Sequence, residues 1–74
     1  MNKLETRLRR CFSAVFPGLP EDRIPHASLE TVPEWDSVAH LTLVQVVEDE
    51  FHANMDEEET EQLTSFGAWL ERLK

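Results

Sequence analysis

Residues 35–51 read WDSVAHLTLVQVVEDEF and contain neither proline nor glycine. On a helical wheel His40, Leu43, Val44, Val47 and Phe51 fall on one side, flanked by Leu41, while Thr42, Gln45, Glu48 and Asp49 point away. The β-branched residues Val38, Val44, Val46 and Val47 argue for a strand. Strict alternation is absent, however, and Val38 to Phe51 is much longer than the usual strand of about 5–6 residues. A helix is predicted.

Upstream of it, Pro17, Gly18, Pro20, Pro25 and Pro33 crowd residues 17–36, which predicts a stretch that is mostly loop. A connection that long in so small a chain implies a job or a short turn of its own. Its expected anchors to the core are Ile24, Leu29, Val32 and Trp35. Before the loop, Leu4, Leu8, Cys11, Phe12 and Val15 recur at three- and four-residue steps, with Lys3, Arg7, Arg9 and Arg10 mostly off that stripe. This predicts an amphipathic helix from residue 3 to about 16, stopped by Pro17-Gly18. Downstream, a break at His52-Ala53-Asn54 leads into a brief acidic helix over 56–62. A last helix is predicted from about Ser65 to Leu73, with Phe66, Trp69, Leu70 and Leu73 inward and Thr64 or Ser65 as its cap. The fold class is therefore all-α: a small four-helix bundle in one domain, residues 1–74, with a long loop after the first helix and a short third helix.

The chain has 74 residues and 8.6 kDa. Area scaling gives it roughly 4,700 Å² of folded surface, with only about 60% of the extended chain's surface buried. A chain of this size is not expected to wall a substrate pocket with a second domain of its own. At 41% hydrophobic and 30% charged the chain can still make a core. The net charge is −8, which opposes nucleic-acid binding and suits partners with basic surfaces. Residues 1–37 carry five bases and six acids, residues 38–74 two bases and nine acids, so a surface for a cationic partner belongs to the second half. The single cysteine, Cys11, cannot form an internal disulfide. There is no apolar run of signal-peptide or membrane-span length. A cytoplasmic monomer that does not engage membranes is expected, either alone or as a module of a longer enzyme.

Ser37 stands at the amino end of the long helix, directly after Asp36. Serine and aspartate are both favoured N-caps, because their oxygens accept unpaired first-turn N–H groups. The same place has a second property: partial positive charge and free N–H groups stabilise a phosphate attached there. A hydroxyl displayed at such a point by a long loop is a good place to carry a phosphate-linked group.

Trp35-Asp36-Ser37-Val38, followed by Leu41, Leu43-Val44 and Glu48-Asp49-Glu50-Phe51, closely resembles the attachment motif of acyl carrier proteins. The resemblance continues through Met55-Asp56-Glu57-Glu58 and Leu63-Thr64-Ser65-Phe66, and covers about residues 36–73; the first helix matches only in length, pattern and position. It implies a bundle of acyl-carrier type in which Ser37 carries 4′-phosphopantetheine, transferred from coenzyme A by a phosphopantetheinyl transferase. The arm's thiol would hold an acyl or aminoacyl group as a thioester. Asp36 matches the acid that precedes the serine. On this resemblance the protein is not itself an enzyme but presents a tethered cargo to several, raising its local concentration at each docked site.

The resemblance also implies a docking face on the second helix, made of Val38, Leu41, Thr42, Gln45, Glu48 and Asp49. Expected partners, besides the transferase, are an acyl- or aminoacyl-loading ligase and downstream synthases or transferases with basic docking patches. Such charges chiefly steer encounter and orientation. Thr42 and Gln45 stand where fatty-acid carriers usually show an acid and a large apolar residue, and Val38 replaces a leucine. Those departures, with Trp35 and the Ser37–His40 spacing, point to specialised polyketide, nonribosomal-peptide or amino-acid-loading pathways, with fatty-acid metabolism also open. The alternative is a carrier-like interaction module that is never modified.

Asp36, Ser37 and His40 also contain the residue types of a hydrolase triad. Asp36 lies about 100° around the helix from Ser37, and nothing supplies an oxyanion hole. His26, His40 and His52 have no metal-ligand spacing, and the run Asp56–Glu59 lacks the glycine and alternating ligands of a calcium loop. Cys11 is expected to pack as a small hydrophobe. His40 is expected on the inner side of its helix or near the root of the arm, and Trp35 and Trp69 as structural anchors.

Overall fold

The computed structural model describes residues 3–74. Helix α1 is Lys3–Val15, α2 Ser37–Phe51, α3 Glu57–Glu61 and α4 Phe66–Leu73. The predicted loop contains a 3₁₀ helix, Glu21–His26, which is the short turn of its own that its length implied. Among the described residues the single extended pairing is an antiparallel bridge between Ser28 and Ser65. The radius of gyration, 11.1 Å, matches the roughly 11 Å expected of a folded chain this size.

Helix α1 packs against α2 and α4, and the 3₁₀ helix against α1 and α4. Leu8, Cys11 and Phe12 are the buried part of the α1 stripe, and Phe16 continues it just past the helix end. Phe12 sits at the centre: its ring meets Phe66 at 5.1 Å, Trp35 at 5.6 Å and Phe16 at 6.1 Å between centroids, the first two edge-on. Edge-to-face pairs of this kind add about 0.5–1.5 kcal/mol each beyond area burial. Leu43 and Val47 bring α2 into the same core, as Phe66 and Trp69 bring α4.

The capping residues explain where the helices begin and end. Ser65 caps α4, its Oγ accepting the Ala68 N–H at 3.1 Å, which decides between the two residues the sequence offered. Helix α2 stops at His52, whose φ of 52° and ψ of 43° put it in the left-handed region usually given to glycine. Glu48 then accepts the Met55 N–H through Oε2 at 3.0 Å, holding the turn into α3.

Of the four expected loop anchors, Ile24, Val32 and Trp35 are buried. Leu29 is not: it is 47% exposed. The reason is in the backbone. The Leu29 N–H donates to the Thr64 carbonyl at 2.8 Å and the Phe66 N–H to the Ala27 carbonyl at 2.9 Å. This short ladder fixes the loop against the start of α4 with Ala27 inward and Leu29 outward. No helix among the described residues is long and apolar enough to cross a membrane.

Candidate functional site

Trp35 is the fixed point from which the site is built. Its ring is buried against Phe12 and Phe16, so the two residues that follow must emerge at the surface where α2 starts. Asp36 has extended backbone and is the N-cap of α2: its Oδ1 accepts the Ala39 N–H at 2.8 Å. Ser37 is the first residue of the helix and is exposed. Of the two cap candidates the aspartate does the capping, and the Ser37 hydroxyl makes no hydrogen bond among the described residues. A free hydroxyl thus stands in the first turn of a 15-residue helix, where the aligned peptide dipoles favour negative charge.

Beside it lies a cleft of about 550 Å³, lined by Ser37, Trp35, His40, Leu41, Leu29 and Thr60 among others. Glu57 and Glu61 of α3 form its acidic side. His40 reaches into it with both ring nitrogens occupied. The Trp35 indole N–H donates to Nδ1 at 3.1 Å, and Nε2 lies 2.8 Å from the Thr60 carbonyl oxygen. An indole nitrogen can only donate and a carbonyl can only accept. Nδ1 is therefore unprotonated and Nε2 carries the proton, an assignment made from partners. The Trp35 and His40 rings are also near-parallel, 21° apart with centroids at 6.1 Å.

These bonds bear on the triad residue types. Oδ1 of Asp36 is engaged in the cap, and neither nitrogen of His40 is free to take a proton from Ser37. The trio does not assemble as an acid–base relay. His40 fits both expected descriptions at once, since it lies on the inner side of α2 and at the edge of the cleft that Ser37 borders.

Along α2, Val38 is 73% and Leu41 64% exposed, two large apolar side chains open to solvent on either side of a turn that begins with Ser37. Thr42, Gln45 and Asp49 are exposed as well. The Thr42 hydroxyl is turned back onto the helix, donating to the Val38 carbonyl at 3.0 Å. Glu48 departs from the expectation: it is half-buried, and its carboxylate is engaged with the Met55 N–H. It reads as part of the α2–α3 turn more than as a free member of a docking face. Leu29 and Thr60 belong to the site and carry no periodic signal in the sequence that would have placed them there.

Cys11 is buried, and desolvation, helped by the nearby Glu50 carboxylate and partly offset by Arg7, pushes its thiol up to about 11. Arg7 in turn bonds Glu50 at 2.8 Å and lies over the Phe51 ring at 4.4 Å, pinning the end of α2 to α1. No group of three or more His, Cys, Asp or Glu side chains among the described residues is arranged to hold a metal ion. Against protein-family models, curated proteins and solved structures alike, the chain has no match.

Proposed function

We propose that this chain is a carrier protein of acyl-carrier type, with Ser37 as the attachment point for 4′-phosphopantetheine. In the loading step a phosphopantetheinyl transferase joins the Ser37 oxygen to the pantetheine phosphate of coenzyme A, and the nucleotide leaves. The arm's thiol then holds an acyl or aminoacyl group as a thioester and offers it to successive partner enzymes. Chemistry at each stop belongs to the partner.

One observation carries the reading: Asp36 takes the cap and leaves Ser37 exposed and unbonded at the positive end of α2. A serine kept only for capping would have its oxygen on the first-turn amides. The apolar pair Val38 and Leu41 beside it, on a chain of net charge −8, suits brief docking to surfaces that offer an apolar contact amid Arg and Lys. The free, buried Cys11 is consistent with a reducing cytoplasm. The departures at Thr42, Gln45 and Val38 favour a specialised biosynthetic pathway over standard fatty-acid synthesis.

The test is intact-mass spectrometry after incubation with coenzyme A and a promiscuous phosphopantetheinyl transferase. A gain of one phosphopantetheine in the wild type and none in Ser37→Ala is expected. A chain that gains nothing with any transferase is instead an unmodified interaction module.

A further inference from the structure

Among the described residues three large apolar side chains are exposed: Leu29, Val38 and Leu41. Exposed apolar residues scattered singly are ordinary, but a group of them marks a contact surface. These three gather around Ser37. Val38 follows it directly, and Leu29 and Leu41 line the same cleft that it does. Two of the three belong to α2, whereas Leu29 comes from the loop. Its outward position is built into the backbone. The Leu29 N–H donates to the Thr64 carbonyl and the Ala27 carbonyl accepts from Phe66, so Leu29 cannot roll into the core without breaking that ladder. The charge around it has one sign. Asp36, Glu57 and Glu61 line the cleft with no lysine or arginine among the described residues, and none of the three carboxylates is in an ion pair there. Glu30, next to Leu29, is exposed as well.

We propose that Leu29 is a docking residue for the phosphopantetheinyl transferase, which meets it with an apolar contact bordered by Arg and Lys; this rests on the carrier reading of Ser37. The reason is geometric. The transferase must bring the phosphate of coenzyme A against Ser37 Oγ itself. Its surface therefore covers the mouth of the cleft that Ser37 borders, and with it Leu29 and Leu41. Enzymes that act later reach the end of a long arm and place no such demand on the cleft mouth. Covering an exposed leucine removes apolar surface from water. Because the ladder already fixes the residue, little ordering is lost on contact. The surrounding carboxylates select a cationic rim on the partner and steer it into register.

Steady-state modification of the full chain by a promiscuous phosphopantetheinyl transferase with coenzyme A tests it, read by intact mass. Leu29→Ala should raise KM about tenfold and leave kcat within about twofold, and Leu29→Met should restore the wild-type KM. The unfolding midpoint should not change, because the side chain is half exposed and its backbone bonds remain. A Ser37→Ala chain, which cannot be modified, should inhibit competitively, and adding Leu29→Ala should weaken that inhibition by the same factor. Glu57→Gln with Glu61→Gln should raise KM at low salt and lose the effect at high salt. A wild-type KM in Leu29→Ala, or a rise that comes with a lowered unfolding midpoint, overturns the docking role. An effect of the glutamate pair that ignores salt overturns the basic rim. A wild-type chain that is never modified removes the carrier reading and this inference with it, so the wild-type reaction tells the two failures apart.

Discussion

The Asp36 carboxylate accepts the Ala39 N–H at 2.8 Å, and this bond leaves the neighbouring Ser37 hydroxyl unengaged. Capping and display are divided between adjacent residues. Asp36→Ala should therefore cost about 1 kcal/mol of stability, while Asp36→Asn, which keeps an acceptor oxygen, should cost little. Urea unfolding measures both. Equal losses for the two variants would mean that charge, and not the cap bond, is what Asp36 contributes.

Leu41 and Leu43 are two residues apart on one helix with opposite duties: Leu43 is fully buried and Leu41 is 64% exposed. Leu43→Ala should lose about 2–5 kcal/mol, enough to threaten a domain of ordinary stability. Leu41→Ala should stay within about 0.5 kcal/mol of wild type and yet slow loading by a partner enzyme. A Leu41→Ala protein loaded at the wild-type rate would remove Leu41 from the docking face.

Charge reversal separates docking from architecture on the same helix. Asp49→Lys should slow partner loading, more at low salt than at high, without loss of stability. Glu48→Lys should do both, since it also removes the acceptor of the Met55 N–H. Equal denaturation midpoints for the two variants would show that the Glu48–Met55 bond contributes nothing.

The sign of the Cys11 effect follows from its direction. The folded chain keeps the thiol protonated up to about 11, against an ordinary value of 9.0. Folding then holds a proton that the unfolded chain releases, so stability is full below pH 9 and declines as pH rises from 9 to 11. The decline should be about 3 kcal/mol, read by denaturant unfolding across that range. At pH 8 an alkylating reagent should react with Cys11 only as fast as the chain opens. In the armed protein it should label the pantetheine thiol first.

Much of this was legible in the sequence where local physics governs. The α1 stripe, the uninterrupted α2 and a cap at Thr64 or Ser65 follow from periodicity, capping chemistry and the absence of helix breakers, and the Ala68 N–H then picks Ser65. The limits are equally specific. Leu29 looks like a core anchor until the bridge to Thr64 turns it outward. Glu48 looks like a surface acid until the α2–α3 turn claims its carboxylate. The Trp35–His40–Thr60 chain is made of one bond between residues 5 positions apart and one between residues 20 apart. In each case the deciding partner is a backbone group on another segment, and backbone groups carry no signature in the amino-acid string.

The Ser37 oxygen decides between a carrier and an unmodified module, and peptide mapping by mass spectrometry of the protein isolated from its own cells looks at it directly. The peptide containing Trp35-Asp36-Ser37 should carry a phosphopantetheine on Ser37 in a substantial fraction of molecules. Finding that peptide wholly unmodified, in cells where coenzyme A and an active transferase are present, would contradict the carrier function.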